Sequence, residues 1–202
     1  MSSPASHTAA AYPSRMRRRL ETRDRVFEAA LTEFRRTGVS ASQIEDIVKS
    51  AGVARGTFYL HFPTKDHVLM ELMRRKQSAL AEQLHASRAL SPRTFLRRAV
   101  ELMQDDAAAE DKTLWHELFA VIGRHAQEMR SQASALVEAL MTFFAAAQER
   151  GDVRRDVTAF DLTAVFLPGV YGLLQMKIDD PPAELRQALY RVVDIFVRGI
   201  SA

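Results

Sequence analysis

The sequence predicts an all-α fold: an N-terminal three-helix domain built on a helix-turn-helix, then a larger helical domain, about nine helices in all. Three observations carry this. Apolar residues recur at three- and four-residue steps along successive stretches, with no alternating strand pattern and no internal repeat. Ala51-Gly52-Val53 forms a corner between two short helical stretches. Charge is uneven, too: residues 1–75 carry 13 Lys+Arg against 8 Asp+Glu, and residues 76–202 carry 15 against 17. A basic front on a slightly acidic body suits a polyanion met by one end.

The bulk composition sets the frame. At 202 residues the chain holds one large or two small domains, and 47% hydrophobic with 26% charged residues is ordinary for a soluble globular protein. No apolar run approaches the roughly 20 residues that span a bilayer, and the first twenty residues contain no apolar signal-type segment. The absence of cysteine removes disulfides, thiol nucleophiles and thiolate metal sites together. A cytoplasmic location is the simplest reading.

Residues 1–17 are expected to be a disordered arm: small, polar and proline-punctuated, ending in Arg15 and Arg17. With Arg18 and Arg19 these arginines read either as a solvated helix start or as an arm laid along phosphates. Residues 18–66 then form the helix-turn-helix domain. Its first helix, from about Arg18 to Thr37, sets Val26, Ala30 and Phe34 on one stripe and stops at Gly38. Ser42 with Glu45 three residues on predicts a capping box for the second helix. In the third, Phe58 and Phe62 face inward while Arg55, Thr57, Leu60 and His61 face outward. A glycine corner followed by a helix presenting basic and polar side chains describes a reader of the DNA major groove.

Residues 67–202 form the second domain. Thr64 caps a helix expected to continue to about Ala89, one rod of about 25 residues and roughly 37 Å. Ser91-Pro92 starts the next, which ends near Gln104 before the polar run Asp105–Asp111. Further helices are expected over about Thr113–Arg124, Ala126–Arg150, Thr158–Met176 and Pro182–Ile200. Pro168 should kink the eighth near Ala164. The last two helices carry more apolar surface than a monomer covers easily.

The run A-G-V-A-R-G-T-F-Y-L-H-F-P-T-K-D, with R-V-F-E-A-A-L-T-E-F-R-R-T-G upstream, resembles the signature of the TetR family of bacterial transcription regulators. Gln43 and Ala54 depart from it, standing where the family usually has threonine and serine, and Val48 replaces a customary alanine. The resemblance implies a homodimer joined through its last two helices and bound to a palindromic operator. It also implies repression relieved by a small apolar effector. Geometry and resemblance together assign DNA contacts to Arg55, Gly56, Thr57 and His61. Tyr59 and Lys65 resemble the family's phosphate-holding positions, and Ser42 or Gln43 would add phosphate bonds.

An effector pocket would be mostly apolar with a few polar groups. Trp115, Phe119, Met141, Phe144, Phe166, Tyr171 and Met176 would line it, with Arg124 or His125 supplying polarity. No cofactor or metal is implied. His116-Glu117 is the front half of a zinc-protease motif, but Ala120 stands where the second histidine belongs. No nucleophile elbow or glycine-rich phosphate loop occurs, so an enzyme is not expected. Two alternatives stay open: a DNA-binding regulator with no effector or needing one to bind, and a helical module for another polyanion.

Overall fold

The computed structural model describes residues 14–125 and 134–201. Among them are nine α-helices and no strand: α1 Ser14–Thr37, α2 Ile44–Ala51, α3 Arg55–His61, α4 Lys65–His85, α5 Pro92–Ala108, α6 Lys112–Arg124, α7 Ala135–Arg150, α8 Ala159–Lys177 and α9 Pro182–Ile200. The chain divides into two compact units between Val68 and Leu69, inside α4.

In the first unit, Val26, Phe27, Ala30, Leu31 and Phe34 of α1 are buried with Ile47 and Val48 of α2. Phe58 and Phe62 close this core, their rings 6.2 Å apart and Phe62 6.3 Å from Phe27. Gly38 ends α1 at φ +82°, and Gly52 ends α2 at φ +63°. At that corner the Gly52 N–H reaches the Lys49 carbonyl at 3.3 Å and the Val53 N–H reaches that of Val48 at 3.0 Å. These bonds satisfy carbonyls the helix end leaves open.

Two expectations here are corrected. Helix α1 already covers Ser14, ahead of the expected Arg18, so Arg15, Arg17, Arg18 and Arg19 ride on helix and not on an arm. Arginine and leucine are good helix formers, and Arg17 faces Glu21 one turn on at 3.6 Å. Residues 1–13 of the expected arm lie outside the described residues. The capping box does not form either. Gln43 is the cap residue and makes no side-chain bond there. Ser42 instead donates its hydroxyl to the Val39 carbonyl at 2.8 Å, and Glu45 pairs with Arg55.

In the second unit α5 packs on α9, α7 on α8, and α8 on α9. Phe95 and Phe143 stack with ring centres 3.6 Å apart. Three boundaries differ from the sequence reading. Helix α4 stops at His85, where backbone turns Ser87 N–H to Leu84 and Leu90 N–H to Ser87 take over. Helix α5 continues to Ala108, because Asp106 meets Lys76 at 3.0 Å and Asp105 meets Arg186 at 3.6 Å. Helix α7 starts at Ala135, where the Ser134 hydroxyl accepts the Val137 N–H; residues 126–133 lie outside the described ones. Helix α8 opens on a full capping box of Thr158 and Asp161 and is assigned as one helix through Pro168. Its 19 residues are long and apolar enough by composition to cross a bilayer, with a mean hydropathy of 1.3, which corrects the expectation that no apolar run approaches that length.

Candidate functional site

Helix α3 is a two-turn rod pinned from below by Phe58. Its outer side is what remains. Leu60 is 67% exposed, Arg55, Gly56 and Tyr59 are exposed, and Thr57 and His61 are half-buried. The last two do not sink into the core. With Leu60 they face Arg15, Arg18, Arg19 and Thr22 of α1 across a groove of about 760 Å³. Thr57, Leu60 and His61 thus share one concavity with an arginine wall. Burial, then the nearby charges of Arg19 and Arg23, hold the His61 imidazole below its usual pKa.

Arg55 pairs with Glu45 and reaches the Tyr59 hydroxyl at 3.5 Å. The Tyr59 ring stands edge-on to Phe58 at 5.5 Å. Gln43 is exposed and donates its amide to the Ala41 carbonyl at 3.1 Å. Nothing within the chain demands glycine at 56, since a Cβ there would meet no atom within 4 Å.

Two assigned contacts are altered by the geometry. The Lys65 ammonium donates to the carbonyls of Val39, at 2.5 Å, and of Ser40 and Ser42, both at 3.1 Å. An ammonium has three protons, so these carbonyls use them all. Lys65 clamps the α1–α2 loop where it was expected to hold phosphate. Ser42 is 3% exposed with its hydroxyl committed to Val39, which leaves it no outward bond.

The residues expected to line a pocket fall into two groups. Trp115, Phe119 and Tyr171 form a row, with ring centres 5.3 and 5.8 Å apart. Phe144 and Phe166 instead meet Phe196, at 6.0 and 5.2 Å. Met141 and His125 are half-buried and Arg124 is exposed. Met176 is 82% exposed and lines nothing inside. Helix α8 is apolar almost all round, so its inward face was not readable from residue type. Burial pushes the Tyr171 phenol up to about 12, against a hydrogen bond from Gln77. Gln77 and Ser134 were not anticipated; the only signal was the cap position of Ser134.

An all-α chain whose first unit is a helix-turn-helix and whose second is a helical bundle has the architecture of a DNA-binding transcription regulator. Residues 26–72 match the model of the bacterial regulatory proteins of the TetR family, and residues 91–202 match that of the SbtR-like transcriptional regulator C-terminal domain. The second match alone spans more than half of the chain, and the chain belongs to the TetR family, a family of transcription regulators and not of enzymes. It is 37% identical over 62 residues to the transcriptional regulator AcrR of Shigella flexneri, covering 31% of this chain and 29% of that protein. To the fatty acid metabolism regulator protein of Bacillus subtilis it is 32% identical over 100 residues, 50% of this chain and 41% of that one. The matches therefore span less than half the length of either relative. In fold it is similar to FadR of Thermus thermophilus, a TetR-family repressor solved with lauroyl-CoA: TM-score 0.76, 22% identity, covering 88% and 94% of the two chains.

Proposed function

We propose that this regulator is a cytoplasmic repressor that binds a palindromic operator as a homodimer and is released by a small, largely apolar effector. The observation that carries the reading is the shared groove of α3 and α1, with Thr57 and His61 on one wall and Arg15, Arg18 and Arg19 on the other. Thr57, His61 and Arg55 read base edges, Gly56 lets the helix approach closely, and Tyr59, Gln43 and the α1 arginines hold phosphates. Lys65 and Ser42 act by fixing the loop that sets α2 against α1.

Dimerisation is supported by Phe160, Val165, Met176 and Ile195, exposed at 59%, 66%, 82% and 72% on α8 and α9. Gly169 and Gly172 are exposed, and a Cβ at either would meet nothing within 4 Å inside the chain, which leaves room for a partner's backbone. Effector release is supported by the aromatic row in the second unit, and the Thermus thermophilus relative was solved with an acyl-CoA. Fluorescence anisotropy with a palindromic and a random duplex at one salt concentration tests the reading. A specificity ratio of about 10³ or more is expected. A ratio near one would favour a general polyanion-binding module instead.

A further inference from the structure

The indole N–H of Trp115 has no hydrogen-bond partner, although the residue is only 2% exposed. Buried donors are paired almost without exception, so an open one calls for a partner that the chain itself does not supply. It stands at one end of a row of rings in which Phe119 lies edge-on to both Trp115 and Tyr171. At the other end a hydrogen bond with Gln77 opposes the rise that burial gives the Tyr171 phenol. The Gln77 amide oxygen also accepts the Ser134 hydroxyl at 2.8 Å. Pushed up to about 12, the phenol stays protonated through the physiological range. An open indole donor and a protonated phenol thus stand at the two ends of the row. Asp106, paired to Lys76 at 3.0 Å, still adds negative potential at the hydroxyl. A donor this deeply buried among rings favours a neutral acceptor, because a charge brought there would lose its hydration.

We infer that Trp115 and Tyr171 are the polar anchors of a binding site for an uncharged, largely apolar molecule bearing a carbonyl-class acceptor oxygen. Its regulatory meaning rests on the effector-released reading above; the binding itself does not. The Phe119 ring supplies the apolar contact between the anchors, and the indole N–H selects the acceptor.

The chain has a single tryptophan, so the one indole N–H resonance of isotope-labelled full-length protein reports this site directly. The probes are acetylnaphthalene and ethylnaphthalene, matched in size and apolar surface, of which only the first carries an acceptor. The ketone should move the indole proton downfield and bind about tenfold or more tighter than the hydrocarbon, the margin of one hydrogen bond. Trp115→Phe should abolish that preference and Tyr171→Phe should reduce it, with cooperative melting retained in both. Equal affinities, an indole resonance that neither probe moves, or a preference that survives Trp115→Phe would overturn the inference and leave a trapped water as the indole's partner. The regulatory reading fails separately: ketone binding with the expected indole shift but undiminished operator affinity would keep the site and remove effector release.

Discussion

A lysine whose ammonium sits among three backbone carbonyls has no proton left for a phosphate, and that changes what substitution at Lys65 should do. Lys65→Met leaves the carbonyls of Val39, Ser40 and Ser42 short of their donor. It should destabilise the protein by about 1–3 kcal/mol, read by urea denaturation. The salt slope of operator binding should stay as it was, whereas Arg18→Ala should lower it by about 0.9, the value of one phosphate contact. His61 gives a second outcome at this scale. Its pKa is held down in the free protein by burial and by Arg19 and Arg23, and phosphates arriving in the groove oppose those arginines. The bound state therefore has the higher pKa and takes up protons. Operator affinity should rise as pH falls through the bound-state pKa and level off below the free-state one; His61→Gln should flatten the profile. Anisotropy titrations across pH check both.

The helices were legible where the stop or start signal is local. Gly38, Gly52 and Gly151 all adopt positive φ, and Ser91-Pro92 and Thr158 begin helices as the sequence reads. Gly52→Ala tests the corner. A Cβ there meets no atom within 4 Å, so the cost is the backbone's own, about 1–2 kcal/mol for a side chain forced into the left-handed region, and Gly52→Asn should cost less. Thermal melting of both variants measures it. Illegible features had distant causes. Glu45 finds its partner ten residues away in Arg55, so the capping box that its spacing suggested is lost. The acidic run after Gln104 stays helical because Lys76 and Arg186 reach it from other helices. The outward side of α3 was readable, since Phe58 and Phe62 fix the inward one. Lys65 was not, because the carbonyls it clamps lie more than twenty residues upstream.

At the scale of the whole molecule, reading a palindrome requires two recognition helices related by a two-fold axis. The exposed apolar side chains of α8 and α9 are where a second copy would be held. Val165→Glu with Ile195→Glu should convert dimer to monomer in sedimentation velocity and lower operator affinity, while leaving the fold intact because both residues face outward. The most direct test of the central claim is selection of bound sequences from a randomised duplex library by the full-length protein. An inverted repeat should emerge, with half-site centres one helical turn, roughly 34–36 Å, or a multiple of it apart. Arg55→Ala should blur the same base pair in both halves. Enrichment of no motif, or of one without two-fold symmetry that is indifferent to Arg55 and Thr57, would contradict the account.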